Sequence, residues 1–200
     1  MAKANWVATN PSSGSGNGTV SVSSHNEHTG RVARSTVITF KAANTNDEPR
    51  TVNQAGKPEY VDIADAAASS KEGKVVTISG ESNSAKLSFR LGTGSLDVEL
   101  PRTYTANSVS VTNGAAIPGD PGAAAVYPFS IAITVPANSG TSEVNRQIIV
   151  SDEAGHEDVC LLTLAAGEPY IIIEADVIEL DYKGTPVTVE VKSNTTWTVE

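Results

Sequence analysis

This sequence of 200 residues is poor in cysteine, aromatic residues, basic residues and long apolar runs. Cys160 is the only cysteine, so no internal disulfide can form and the fold must depend on its core and its backbone hydrogen bonds. The thiol lies within the apolar stretch DVCLLTL, which predicts a buried strand position. No stretch approaches the roughly 20 apolar residues of a transmembrane helix, and we therefore predict no membrane span.

Basic residues are outnumbered and scattered. The 14 Lys and Arg face 23 Asp and Glu, which gives a formal net charge of −9. Nucleic-acid-binding proteins concentrate basic side chains on one face, so we predict no nucleic-acid partner. The first ten residues, MAKANWVATN, lack the apolar segment of a secretory signal. Either the protein works without the general export route, or Met1 stands where a signal was removed.

Catalytic and metal-binding patterns are scarce as well. The sequence has no Gly-x-Ser-x-Gly elbow, and its histidines (His25, His28 and His156) have no recognisable general-base context. His25 and His28 in HNEH have the spacing of metal ligands, but they lie in a polar loop without further ligands. The segment GSGNG lacks the Lys-Ser/Thr of a phosphate loop and is predicted to be a flexible turn. We predict no enzyme, no cofactor and no metal site.

An acidic segment, SDEAGHED at 151–158, has two interpretations. Calcium loops place oxygen ligands at alternate positions around a shaping glycine, and Gly155 would be that glycine. Charged residues also mark hairpin turns, and apolar runs flank this segment on both sides. We predict a solvated hairpin tip.

Short alternating stretches separated by turn residues make up the rest of the sequence, and no helical period is sustained. In SLDVEL, for example, Leu96 and Val98 alternate with polar residues, as in a strand with one buried face. Strands are predicted at Lys74–Ser79, Lys86–Leu91, Ser95–Leu100, Ser108–Thr112, Tyr127–Val135, Arg146–Val150 and Val159–Leu164. Seven strands in about a hundred residues predict an all-β, immunoglobulin-like sandwich.

The chain also contains an internal repeat. QAGKPEYVDIAD aligns with AAGEPYIIIEAD when Gly56 is placed on Gly167, 111 positions later. The same offset places Ser-Asn-Ser at 82–84 on Ser-Asn-Thr at 193–195. A single register kept through a hinge, a strand and a turn indicates a true repeat.

The repeat divides the chain into three parts. Arg34 and Arg146 each open a strand 112 positions apart, which makes residues 1–57 the later half of a unit. Residues 58–168 form one complete unit, and residues 169–200 form the first strands of another. Such complementary halves permit head-to-tail completion between chains, although continuation of the native chain beyond Glu200 is the favoured explanation.

The connectors between these parts are Gly-x-Pro segments. Pro58 and Pro169 fix φ and favour an extended preceding residue. Gly56 and Gly167 allow either a close approach of two backbones or a positive φ. We predict short, semi-stiff hinges that stack tandem modules rather than flexible linkers.

Several of these motifs resemble the BACON family of immunoglobulin-like domains. VEVKSNTTWTVE (residues 189–200) resembles an early strand of that family, and NPSSGSGNGTVSVS, ARSTVITF and VNQAG resemble its later strands. The middle unit resembles the family mainly through the repeat, since Lys86 stands where Trp197 would be expected. The resemblance implies a spacer or adhesion role, as in surface proteins of Bacteroidetes and in structural proteins of phages that infect them, and it implies no catalytic residues.

Two functional hypotheses follow. The first is a structural component of a phage particle, displayed on the virion exterior as a head fibre or capsid decoration, with a tail fibre or adaptor as the second choice. Residues 1–57 would be its attachment end, where unpaired strand edges bind a capsid protein or a neighbouring subunit of a homo-oligomer.

The second hypothesis is a carbohydrate-binding spacer, extracellular or on the surface of a Bacteroidetes bacterium. Glycan binding needs exposed aromatic rings, and Trp6 and Trp197 are the candidates for stacking on a sugar of a host-surface polysaccharide. Packing of both rings in a core is the favoured alternative.

Overall fold

The fold is all-β, as predicted. A computed structural model describes residues 3–200, and Met1, on which the prediction about a leader rests, lies outside this range. The strands are β1 (Val7–Asn10), β2 (Ser21–Ser24), β3 (Arg34–Phe40), β4 (Glu48–Gln54), β5 (Val61–Ile63), β6 (Ala66–Ser69), β7 (Lys74–Ser82), β8 (Ser88–Gly94), β9 (Thr103–Ala106), β10 (Val109–Thr112), β11 (Tyr127–Val135), β12 (Val144–Ser151), β13 (Glu157–Leu164), β14 (Ile171–Ile173) and β15 (Val191–Ser193). One 3-10 turn covers Pro121–Ala123.

Strands β5 to β13 form a β-sandwich. One sheet has the order β10-β9-β11-β7-β5 and the other has the order β6-β13-β12-β8. All neighbours pair antiparallel except β6 and β13, which pair parallel. The apolar side chains between the two sheets form one core, and their burial provides the main stabilisation of this part of the chain.

The central strand β11 shows why the sequence pattern folds in this way. Its residues alternate between buried and more exposed along the whole strand, because successive side chains of a strand point to opposite faces. Ile131 pairs with Ile78 and Ile133 pairs with Val76. Cys160 is fully buried on the facing sheet, as predicted, and burial raises the pKa of its thiol to about 11.

The strand predicted at Ser95–Leu100 is wrong, although its alternation is real. Leu96 and Val98 are buried in the core, but the segment forms no sheet ladder. Its backbone is held instead at Asn145 and Arg146: the Leu96 N–H donates to the Asn145 carbonyl, and Arg146 Nε donates to the Leu96 carbonyl. Alternation reports burial of one face and does not require a strand partner.

Two small β-structures lie on either side of the sandwich in the sequence. In residues 3–57, β1 pairs with β2 and β3 pairs with β4. In residues 169–200, β14 pairs with β15. Contacts between the hairpins of the first part include the Arg34 guanidinium, which lies 4.6 Å from the centroid of the Trp6 ring.

The pairing registers of these small structures match those of the sandwich. Arg34 pairs with Gln54 in β3/β4, and Val144 pairs with Leu164 in β12/β13, so the two hairpins correspond when both strands are offset by 110 positions. This places Arg34 at Val144, so the predicted equivalence of Arg34 with Arg146 is wrong by two positions. Similarly, Ile171 pairs with Ser193, and Val61 pairs with Ser82, so β14 is offset by 110 positions and β15 by 111. The single offset of 111 predicted through this strand is therefore wrong for β14, because Gly167–Tyr170 is one residue shorter than its counterpart Gly56–Tyr60. Hydrogen-bond register thus relates β3/β4 to β12/β13 and β14/β15 to β5/β7.

Within residues 3–200, no helix has the length and apolar character needed to cross a membrane.

Candidate functional site: two asparagine-clamped junctions

The Gly-x-Pro segments lie at two junctions that share one hydrogen-bonding arrangement. The first junction joins residues 29–32 and 56–60 to the end of β7 and to residues 120–126. The second junction joins residues 138–140 and 167–170 to the segment that follows β15. An asparagine side chain lies at the centre of each.

Asn83 is the centre of the first junction and is fully buried. Its Oδ1 accepts a hydrogen bond from the Tyr60 N–H at 3.0 Å. Its Nδ2 donates to the carbonyls of Pro58 at 3.1 Å and Thr29 at 3.3 Å. A carboxamide offers both acceptors and donors, so this one side chain binds two stretches of backbone that are distant in sequence.

Asn194 holds the second junction in the same way. Its Oδ1 accepts from the Tyr170 N–H at 2.9 Å. Its Nδ2 donates to the carbonyls of Ser139 at 2.7 Å and Glu168 at 2.9 Å. Asn194 is only half-buried, so water competes for these bonds more readily than at Asn83.

The serines that precede the two asparagines repeat the arrangement as well. Ser82 Oγ donates to the Tyr60 carbonyl at 2.7 Å, and Ser193 Oγ donates to the Tyr170 carbonyl at 2.8 Å. Each hydroxyl also accepts from the backbone N–H two residues later. The Ser-Asn motif therefore forms an equivalent local structure at both places.

The predicted hinge glycines serve close backbone approach. A Cβ placed on Gly56 would lie 2.0 Å from the Arg31 carbonyl oxygen, and one on Gly167 would lie 2.5 Å from that of Asn138. Neither glycine has a positive φ, which decides between the two roles that the sequence left open. Pro58 and Pro169 lie exposed beside them.

The first junction has an additional ion pair. Arg31 donates to both carboxylate oxygens of Asp120, at 2.6 and 2.5 Å, and bidentate pairs of this kind are among the stronger charge-assisted interactions. These hydrogen bonds hold the pKa of Asp120 below its ordinary value and raise the pKa of Arg31. The backbone N–H groups of Arg31 and Val32 donate to the carbonyls of Gly122 and Ala123.

Sequence reasoning missed the residues that form this contact. Arg31 and Asp120 are 89 positions apart, and no local pattern links them. In the sequence, Asn83 stands out only as part of the Ser-Asn-Ser motif that recurs as Ser-Asn-Thr at 193–195. A signal was present, because the Ser-Asn pair recurs 111 positions later, and a polar side chain that becomes buried needs hydrogen-bond partners.

The other candidate sites lie apart from the junctions. His28 is buried, with Nε2 2.7 Å from the Val32 carbonyl oxygen, whereas His25 is exposed. Between residues 3 and 200, no three His, Cys, Asp or Glu side chains are grouped as metal ligands. The GSGNG segment, residues 14–18, is a turn that lines a groove of about 640 Å³ together with Ile38 and Phe40.

The acidic segment 151–158 is a hairpin tip between β12 and β13, as predicted, but it is not fully solvated. The Asp152 side chain is buried. Its Oδ1 accepts from the His156 N–H at 2.8 Å, and its Oδ2 lies 2.7 Å from His156 Nδ1. Asp158 accepts from the Ile63 N–H at 2.7 Å, so two of the four carboxylates stabilise the fold.

The two tryptophans have different surroundings. Trp6 is half-buried under Arg34, whereas Trp197 is 49% exposed and lies outside any core of the described residues. Tyr182, in the same C-terminal part, is 94% exposed. Packing in a core, the favoured expectation for both tryptophans, therefore does not describe Trp197.

The repeated junction is the best-defined candidate functional feature of the chain. It fixes the connection between successive β-structures through buried or half-buried hydrogen bonds. The sequence matches no protein-family model and no curated protein.

Proposed function

We propose that this protein is a non-enzymatic structural component of a phage particle, a head fibre or capsid decoration assembled from BACON-like, immunoglobulin-like repeats. The observation that carries the proposal is the junction that occurs twice, with an asparagine bound to equivalent backbone groups. A joint of fixed geometry suits a protein that holds its ends at a defined separation, because flexible linkers do not transmit orientation.

The attachment end in this proposal is the N-terminal segment, residues 3–57. Strands β2 and β4 each have a single strand neighbour among the described residues. An unpaired strand edge binds a further strand through its backbone groups. A capsid protein or a neighbouring subunit would supply that strand.

Immunogold labelling tests the proposal directly. Antibodies against the 200-residue protein are applied to purified phage particles and to intact bacterial cells from the same source. We expect regular labelling of the particle surface and none of uninfected cells. Labelling restricted to the cell envelope would reject the virion assignment.

The exposed Trp197 favours a second candidate, a carbohydrate-binding spacer on a bacterial surface. Its ring is available for stacking on a sugar. Affinity-gel electrophoresis in polysaccharide gels separates the two proposals: retardation of the wild type that is lost in Trp197→Ala supports glycan binding. Trp6→Ala is the comparison variant, because Trp6 is half-buried under Arg34. Unretarded migration in all gels contradicts the second candidate.

A further inference from the structure

The N-terminal segment has two open strand edges where the sandwich has filled ones. In the sandwich, β11 pairs with β7 along nine residues, and β13 pairs with β6. By chain order, β2 precedes the β3/β4 hairpin as β11 precedes β12/β13, so β2 takes the place of β11 and β4 that of β13. Their only neighbours in the described structure are β1 and β3. Val20 and Val22, which are 111 positions before the buried Ile131 and Ile133, are exposed.

The side of β2 that β1 occupies corresponds to the other edge of β11. On that edge the Pro128 carbonyl accepts from the Asn107 N–H beside β9, and the backbone groups of every second residue, up to Pro136, point the same way. His25, 111 positions before Pro136, likewise donates its N–H to the Trp6 carbonyl beside β1. In the N-terminal segment, β1 pairs with Ser21–Ser24, the counterpart of the end of β11. The edge of β2 that corresponds to the β7 side therefore remains open.

The C-terminal segment, residues 169–200, contains the strands that those edges lack. Strand β14 has the register of β5, which places Ile173 at the position of Ile63 and Ile172 at that of Asp62. Ile63 is buried in the sandwich core, but Ile173 is 47% exposed. Val187, 111 positions after the buried Val76, is 51% exposed. The residues that face the core in the sandwich thus face solvent here.

The two segments also have opposite charges. Residues 3–57 contain six Lys or Arg and three Asp or Glu, a net charge of +3, whereas residues 169–200 contain two Lys and six Asp or Glu, a net charge of −4. The sequence between them is acidic, so the positive charge is confined to the N-terminal segment. Opposite charges favour association of these segments and disfavour like-with-like contacts.

The two segments of one chain attach to opposite ends of β11. Thr29 Oγ1 accepts from the Val126 N–H, before the strand, and Asn194 binds Ser139, beyond it. A strand of nine residues is about 30 Å long. Pairing between the segments is therefore favoured between two chains rather than within one.

We propose that a second copy of this chain fills the open edges: residues 185–193 of one protomer pair antiparallel with β2 of its partner, as β7 pairs with β11. Residues 177–180 pair parallel with 51–54 of the partner's β4, as β6 pairs with β13. The contact joins different surfaces, so it propagates head to tail into rings or filaments. This inference holds for a virion component and for a surface protein alike.

Sedimentation velocity over a range of protein concentrations tests the association. The wild type is expected to form dimers and longer species, and added salt weakens them because the segments carry opposite charges. Ile173→Asp should raise the protein concentration at which half of the molecules are associated by about tenfold or more. The reason is that its counterpart Ile63 is buried in the sandwich core, where a carboxylate is costly.

Ile172→Asp is the matched control. Ile172 is 50% exposed, much like its neighbour, but its counterpart Asp62 is an exposed carboxylate. The control should associate like the wild type. Equal loss in both variants would indicate unspecific apolar contact and overturn the proposal, as would a wild type that stays monomeric at every concentration.

Disulfide trapping tests the register. In the sandwich, Ile133 of β11 pairs with Val76 of β7. Their counterparts in the proposed contact are Val22 of one protomer and Val187 of the other. Val22→Cys and Val187→Cys are prepared as separate proteins, mixed and oxidised gently; the native Cys160 is buried and does not compete. A disulfide between the two different variants is expected. No cross-link in the mixture, or equal cross-linking with Ser23→Cys in place of Val22→Cys, would overturn the proposed pairing.

Discussion

At the scale of single residues, the Asn83 carboxamide provides the most concentrated set of polar contacts. It is fully buried, and its donors and its acceptor are used by backbone groups that are distant in sequence. Removing one partner of a buried hydrogen bond leaves the others without compensation. Loss of the Asn83 carboxamide therefore leaves backbone groups of two segments, around Thr29 and Tyr60, without their hydrogen-bond partner.

Asn83→Ala should lower the free energy of unfolding by about 2–3 kcal/mol, because the Tyr60 N–H and two carbonyls lose their partner. Asn194→Ala should cost about 1 kcal/mol, since water reaches that half-buried site. Urea denaturation followed by circular dichroism measures both. Asn46→Ala, in an exposed loop, is the control and should stay near the wild type; a control as damaging as Asn83→Ala would contradict this account.

At the scale of elements, the connection between β4 and β5 depends on backbone contact. Gly56→Ala should destabilise the protein by at least about 1 kcal/mol, because a Cβ would meet the Arg31 carbonyl oxygen at 2.0 Å. Gly18→Ala is a suitable comparison: nothing lies within 4 Å of its added Cβ, and its effect should be small. Thermal unfolding of both variants measures the difference, and equal melting temperatures would disprove the steric argument.

The ion pair between Arg31 and Asp120 makes this junction sensitive to acid. The pKa of Asp120 is lowered in the folded state, so its stabilising contribution is present above the ordinary carboxyl pKa. That contribution is lost as the pH falls through the lowered value. The Asp120 side chain is 40% exposed, and we expect about 1 kcal/mol after solvent screening.

Asp120→Asn should therefore be less stable than the wild type at neutral pH and approach it at strongly acidic pH. Denaturant titrations at several pH values measure the gap between the two proteins. Asp47→Asn removes a pair with Lys41 in which both side chains are more than half exposed, and it should produce no such gap. A constant difference at all pH values would show that the charge is not responsible.

At the scale of the whole molecule, stability is unevenly distributed. The sandwich has a continuous core, whereas the C-terminal segment is largely exposed and has one short strand pair. Amide exchange follows such differences in local stability. We expect slow exchange in β7, β11 and β12 and fast exchange in residues 174–190, measured by mass spectrometry at low protein concentration. Uniform slow exchange along the chain would contradict this.

The sequence predicted local features of the fold well and distant ones poorly. Tyr127–Val135 was predicted with its observed ends, because alternation and turn residues are local signals. Strand β6, with the sequence AAAS, was missed because three alanines have little β-propensity and its parallel partner is about 95 positions away. The ion pair of the first junction was likewise invisible, because tertiary packing alone brings its two residues together.

The partners of the two junction carboxamides are all main-chain atoms. Almost every amino acid carries the same peptide N–H and carbonyl, so these hydrogen bonds place little demand on the side chains of the residues that they bind. Mutations can alter the outer faces of adjoining units, and thereby their antigenicity or their choice of ligand, while the angle between those units is inherited unchanged. Evolution is thus free to diversify the surface of such an assembly without redesigning its scaffold.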